Sequence, residues 1–296
     1  MAQQQRAEDP RQQELDVDIA GIDALDLPLQ PAPSLASRAW SAWWPKLAAI
    51  GLLLAAWQTL VWLEWKPTYV LPPPRPVFER LVSDFRDGVL LEATGITLGR
   101  AVIGYAIAMA IGVALGLAVA RFRPLRTALG SLITGLQTMP SIAWFPLAIL
   151  LFQLTEEAIL FVIVLGAAPA IANGLLHGVD HIPPLLLRAG KVLGAKGLAT
   201  YRHIIMPAAL PGFVSGMKQG WAFAWRSLMA GELLVIIASR PSLGVRLQFA
   251  REFSDAEALL AAMIVILLIG IIVDALVFGR LELAIRKRWG LLSATS

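Results

Sequence analysis

Long apolar stretches alternate with short charged ones from about residue 46 to residue 279, and that alternation sets the fold. A bilayer crossing takes about 20 mostly apolar residues per helix. The pattern predicts six such segments, at about 46–64, 94–120, 126–153, 157–178, 209–238 and 257–279. The fold class that follows is all-α, a polytopic membrane protein with six transmembrane helices. Trp40, Trp43 and Trp44 flank the first segment on one side and Trp62 and Trp65 on the other, where interfacial aromatic anchors sit. Between the first two segments, Val77, Phe78, Leu81, Val82, Phe85 and Val89 recur at helical spacing, with Glu79, Arg80, Ser83, Asp84, Arg86 and Asp87 opposite. This predicts a short amphipathic helix on the outer surface, bracing an extracytoplasmic partner or packed over the bundle rim.

Composition agrees with the pattern. The chain is 57% hydrophobic and 16% charged, with mean hydropathy +0.67, whereas a soluble domain carries roughly 25% charged residues. Cysteine is absent, which removes disulfides, thiolate nucleophiles and Cys-ligated metals. The net charge of +4 would suggest nucleic acid in a soluble protein. Here the lysines and arginines sit at the ends of apolar runs, so no nucleic-acid partner is inferred. Arg121, Arg123 and Arg126 fill the second loop; Arg188, Lys191, Lys196 and Arg202 lie in the fourth; Arg280, Arg286, Lys287 and Arg288 follow the last segment. The positive-inside rule then places both termini in the cytoplasm of a cell-membrane protein.

Residues 1–45 read as a disordered cytoplasmic tail, rich in Gln, Pro and acids such as Glu8, Asp9, Glu14 and Asp16, without the basic start and short apolar core of a signal peptide. Residues 46–285 form the membrane domain, and 286–296 a short cytoplasmic C-terminal tail.

Several positions could carry function. Gly104, Ala108, Gly112, Gly116 and Ala120 recur every fourth residue in the second segment, as do Gly212, Gly216, Gly220 and Ala224 in the fifth. Such stripes let helix backbones approach closely in lipid, within the bundle or at a dimer face. The third segment carries Met139, Pro140, Ser141, Trp144 and Pro146. A proline break at membrane depth is tolerated against protein or a water-filled cavity, so it marks either a substrate route or a packed kink. Arg226 and Glu232 lie inside the fifth segment, where ionisable groups need a partner. They are separated by about 240° around the helix and cannot pair directly, leaving a place on the route or a structural ion pair with another helix. His177-Gly178-Val179-Asp180-His181 places two histidines one turn apart, but the H-x-x-E-H metalloprotease pattern has Glu where Asp180 stands. No metal site is predicted. No P-loop occurs: Gly190-Lys191 is followed by Val192, so the chain has no ATP site of that kind.

The fourth loop, residues 185–207, is the most informative. It reads as a short helix through Arg188-Ala189-Gly190, a turn at Gly194 and a second short helix running to Ile204-Ile205-Met206-Pro207. This resembles the E-A-A, three residues, Gly, nine residues, I-x-L-P signature of ABC importer permeases. Gly194 takes the glycine position, Ile204 follows, Pro207 closes the motif and Met206 replaces its Leu. Arg188-Ala189-Gly190 stands where E-A-A would be, with only the alanine matching. Leu71-Pro72-Pro73-Pro74, the Pro140–Pro146 break, Trp225, Gly231-Glu232 and Arg251-Glu252-Phe253 extend the resemblance to the nitrate/sulfonate/taurine group, most closely its aliphatic-sulfonate permeases.

The resemblance implies a type I importer bundle. Its coupling residues would be Arg188, Ala189, Gly190, Gly194, Ile204 and Pro207, and its path would run by Met139, Pro140, Ser141, Trp144, Arg226 and Glu232. It further implies two cytoplasmic ATPase subunits that use ATP and Mg, an extracytoplasmic binding protein and a second permease chain. The cargo expected is an aliphatic sulfonate, with taurine, nitrate or bicarbonate as the other small anions. The chain itself would bind no cofactor and catalyse nothing. The competing readings are a secondary transporter coupled to H⁺ or Na⁺ and an intramembrane metalloprotease.

Overall fold

The computed structural model describes residues 35–288. The predicted disorder of residues 1–34 and most of the C-terminal tail lie outside the described residues. The chain divides into two units, residues 1–57 and 58–296. The described part of the first belongs to one helix, α1 (Leu35–Trp62). It opens ten residues before the predicted tail ends at 45, because Leu35 to Trp44 is rich in helix-forming Ala, Leu and Arg and Pro45 is carried inside the helix.

The second unit is built from α2 (Pro74–Arg86), α3 (Val89–Arg121), α4 (Arg123–Thr138), α5 (Phe145–Phe152), α6 (Glu156–Asp180), α7 (Pro184–Val192), α8 (Met206–Leu234), α9 (Leu243–Glu252), α10 (Ala256–Val273) and α11 (Gly279–Arg288). No strand occurs among the described residues. α6 is the centre. α3 runs parallel to it and α8 antiparallel, and both glycine stripes face it. A Cβ on Gly104 would fall 2.9 Å from Ile163 side-chain atoms, and one on Gly112 2.7 Å from the Ala168 carbonyl oxygen. α6 and α8 meet backbone to backbone: a Cβ on Gly174 would lie 2.2 Å from the Gly216 Cα, and one on Gly212 2.5 Å from the Gly178 Cα. The stripes are therefore filled within the chain, which corrects the dimer-face alternative for them. Ile159, Ile163, Ile171, Phe145 and Leu228 close the core around these crossings.

Four helical spans among the described residues are long and apolar enough to cross a membrane: Trp43–Trp62, Val89–Arg121, Glu156–Asp180 and Ala256–Ile285. The third predicted segment makes a fifth only if its two halves count together, because they bend by 103°. Pro140 causes the bend. Met139 ahead of it is extended at φ −77°, ψ 127°, as a residue before proline prefers. A 3₁₀ turn, Ser141–Trp144, follows. Pro146 does not break anything; it sits in the first turn of α5, where its missing N–H costs no hydrogen bond. The predicted fifth segment is α8, 29 residues long, which carries Lys218, Arg226 and Glu232 and so falls outside the apolar set.

Two boundaries move, each through a π turn. Pro207 was expected to end the coupling loop's second short helix. Instead, a single turn at Leu198–Thr200 runs through a π-helical Tyr201–Ile205 straight into α8. Widening the turn accommodates a residue that cannot donate a backbone hydrogen bond. The last span likewise continues through a π turn, Asp274–Phe278, into α11, past the predicted end at 279.

α2 forms where the amphipathic pattern placed it and packs against α10 and α3. Its faces are mixed. Val77 is buried, but Phe78, Val82 and Phe85 are exposed. Asp84 turns inward and pairs with Arg246, while the half-buried Arg80 reaches Asp84 at 3.0 Å and Asp255 at 3.4 Å. These pairs tie α2 to α9 and to Asp255, the N-cap of α10, which no single-helix pattern can show.

Candidate functional site

The coupling loop begins where Pro183 ends α6's run and Pro184 opens α7. α7 ends in a Schellman cap: the Ala195 N–H donates to the Gly190 carbonyl at 2.9 Å and the Gly194 N–H to the Lys191 carbonyl at 3.1 Å. That geometry requires a left-handed residue at the second position after the helix, and Gly194 has φ +82°, reached without steric cost. Gly190, the motif residue nearest the turn, is buried, and a Cβ there would fall 1.9 Å from the Ile204 Cδ1. So Gly190 and Ile204 pack the two legs of the loop together. The outer surface stays open. Val192 and Leu193 are each 86% exposed and Leu198 83%. Arg188, Ala189, Lys191 and Lys196 are exposed beside them. Pro207 is half-buried in the first turn of α8.

The polar groups inside the bundle separate into two environments. Glu232 is fully buried. Its carboxylate accepts from Arg100 Nη1 at 2.9 Å, from the Thr97 hydroxyl at 3.0 Å and from the Gly244 N–H at 3.0 Å. Arg100 also donates to Glu156 twice, at 2.6 and 2.7 Å, and Arg240 lies 3.8 Å from the same carboxylate. The Leu243 N–H donates to Thr97 Oγ1 at 3.0 Å. Two carboxylates and two guanidiniums thus tie the ends of α3, α6 and α8 to the first turn of α9. Gly244 is required there, because a Cβ would fall 2.3 Å from the Glu232 Cβ. Glu232 therefore sits in a closed network of charges and hydrogen bonds. Arg100 and Thr97 were missed. Yet Arg100 lies inside the predicted second segment, where the rule that singled out Arg226 applies to it equally.

Arg226 is exposed. Its Nε donates to the Ala222 carbonyl at 3.0 Å, its guanidinium lies 4.8 Å from the Phe223 ring centre, and no carboxylate pairs with it among the described residues. With Ser215, Lys218, Gln219, Trp225 and Asp274 it lines an open cleft of about 570 Å³ between α8 and the last span. Lys218 reaches Asp274 at 3.1 Å; it too lies within a predicted span and was passed over. The helix-break residues lie elsewhere. Met139 is 42% exposed, Pro140 is exposed and Ser141 is half-buried, and Trp144 packs against the core. Ser141 approaches α8 where Gly166 leaves room beside Ser227. None of the four lines the Arg226 cleft.

The His177 and His181 rings stack at 3.8 Å, and Asp180 between them pairs with Arg126. No group of three potential metal ligands occurs among the described residues.

A set of long apolar helices with a structured loop of short helices at one end defines a multi-pass membrane protein. The family described as binding-protein-dependent transport system inner membrane component matches residues 92–283, and the chain belongs to it. Its members are transport components and not catalytic subunits. A protein named as an ABC transporter permease in Methanocaldococcus jannaschii is 30% identical over 233 residues, covering 77% of this chain and 86% of its own length. The taurine transport system permease of Escherichia coli is 28% identical, covering 77% and 84%. Proteins named as aliphatic-sulfonate and nitrate permeases match at 26–29% identity. A chain of the methionine ABC transporter, solved in inward-facing conformations, superposes with TM-score 0.57 at 18% identity, covering 66% of this chain and 95% of its own.

Proposed function

We propose that this chain is the membrane subunit of an importer driven by two ABC ATPase subunits seated on residues 185–207, moving a small anion handed over by an extracytoplasmic binding protein. Two copies of the chain form the route, each with six crossings once the bent pair and α8 are counted, and both termini are cytoplasmic. One observation carries the reading: the coupling loop is internally braced at Gly190–Ile204 and capped at Gly194, while Val192, Leu193 and Leu198 are left exposed beside Arg188, Lys191 and Lys196. A rigid knob with an apolar tip is what a separate motor needs in order to push on the bundle. The cargo is an aliphatic sulfonate, in keeping with the sulfonate, taurine and nitrate names of the relatives. The guanidinium of Arg226, which no carboxylate pairs among the described residues, supports an anion, because it leaves a positive charge free in the cleft. Met139, Pro140, Ser141 and Trp144 complete the route at the helix break, and Glu232 holds its outer end in shape.

The test is Gly194→Val. Space around the Cβ is open, so the substitution acts through the left-handed backbone, which costs a non-glycine residue about 1–2 kcal/mol and a β-branched one more. The variant chain is expected to insert and stay stable while ATPase copurification and uptake fall together. Wild-type copurification and uptake in the variant would overturn the docking role. Growth of a deletion strain on an alkanesulfonate, taurine or nitrate identifies the cargo; normal growth on all three rules these anions out.

A further inference from the structure

Where α3, α6 and α8 converge on the coupling loop they leave a cavity of about 280 Å³. Val113, Leu117, Leu175, Leu210 and Phe213 are among its apolar walls, and Arg121 and Tyr201 bring polar groups to the lining. Leu117 and Met206, both on its wall, are 52% and 65% exposed, so the cavity opens sideways onto the flank of the bundle. Unfilled apolar space forfeits packing contacts along its whole lining. Arg121 is the last residue of α3. Its guanidinium lies 5.6 Å from the Phe122 ring centre, and no carboxylate pairs with it among the described residues. Its neighbour Arg126, by contrast, is held by Asp180.

An apolar slot opening sideways, with one unpaired cation at the end of a membrane helix, has the polarity of a phospholipid read from tail to head. We propose that this cavity binds one acyl chain of an anionic glycerophospholipid, with its phosphate on the Arg121 guanidinium and beside the Tyr201 hydroxyl. The single cation selects the occupant. A zwitterionic head brings its own ammonium against Arg121, whereas an anionic head does not. Basic pockets between helices on the cytoplasmic side bind such heads. The proposal rests on the orientation given above, which puts this end in the cytoplasmic leaflet. Because Tyr201, Ile205 and Met206 join the coupling loop to α8, the bound lipid would lie against the segment that carries force into the bundle.

The test uses the purified full chain with its copurifying subunits, reconstituted in equal parts phosphatidylglycerol and phosphatidylcholine. It is then released in mild detergent and weighed by native mass spectrometry. Wild type is expected to retain phosphatidylglycerol in preference to phosphatidylcholine. Arg121→Gln should weaken phosphatidylglycerol retention roughly fivefold, the effect of one basic residue at a membrane surface, and leave phosphatidylcholine unchanged. Leu117→Trp, which crowds the mouth, should lower both. Equal retention of the two lipids by wild type overturns the proposal, as does wild-type retention by a folded Arg121→Gln chain. A Leu117→Cys chain that crosslinks to a second copy also overturns it, because the cavity is then covered by protein. If either variant fails to fold, the wild-type comparison of the two lipids decides alone. ATPase copurification from the same samples reads the importer assignment separately, so the two can fail independently.

Discussion

The buried network around Glu232 makes the sharpest prediction. Glu232→Ala removes the acceptor for Arg100, Thr97 and the Gly244 N–H at once. Removing one partner of a buried ion pair costs about 3–5 kcal/mol. Arg100 keeps its two bonds to Glu156, which offsets part of that loss, so the low end, roughly 3 kcal/mol, is expected. In a chain of this size about 1 kcal/mol shifts Tm by roughly 2–4 °C, which gives a drop of roughly 6–12 °C. Glu232→Gln keeps the shape and one acceptor but loses the charge, and a hydrogen bond to a charged group is worth about 1.5–3 kcal/mol; its drop should be about half as large. Arg226→Leu is the control, since a surface change away from such networks stays within about 0.5 kcal/mol. The assay is thermal unfolding of the purified chain in detergent, followed by intrinsic fluorescence. Equal Tm values for Glu232→Ala and Arg226→Leu would refute the claim that this network ties α9 to the bundle.

Three further outcomes follow from separate features. Gly216→Val should abolish stable insertion, because the α6–α8 crossing leaves no room beside Gly174; wild-type expression and Tm would show that the backbones are not in contact. Arg226→Leu should cut anion uptake while ATPase copurification survives, and unchanged uptake would remove the anion role. The chain has no native cysteine, so Asp87→Cys should react with an impermeant thiol reagent in intact cells and Lys196→Cys should not; the reverse pattern would invert the orientation.

The sequence by itself determined the helical class, the approximate place of the apolar segments, the glycine stripes and the coupling loop. Each is a local property. An apolar run shows its length without reference to neighbours, a small-residue stripe shows its period, and Gly194 is legible because only glycine fits the left-handed position after α7. The break at Pro140 was legible for the same reason, though which proline bends the chain depended on where each fell relative to a helix start. Tertiary structure alone decided the partners. Nothing in the segments themselves says that Arg100 would meet Glu156 and Glu232 across 56 and 132 positions, or that Gly244 would lie under Glu232. Those contacts arise because α3 and α8 both pack on α6 and meet each other beside it, where the Tyr105 hydroxyl donates to the Met217 carbonyl at 2.8 Å, and the crossing of Gly174 with Gly216 sets their register. The same packing seals Glu232 inside and leaves Arg226, six positions earlier on the same helix, in an open cleft. Hydrophobic pattern reports how much of a helix must leave water; which charge is paired and which is left free depends on what the neighbouring helices bring to each face.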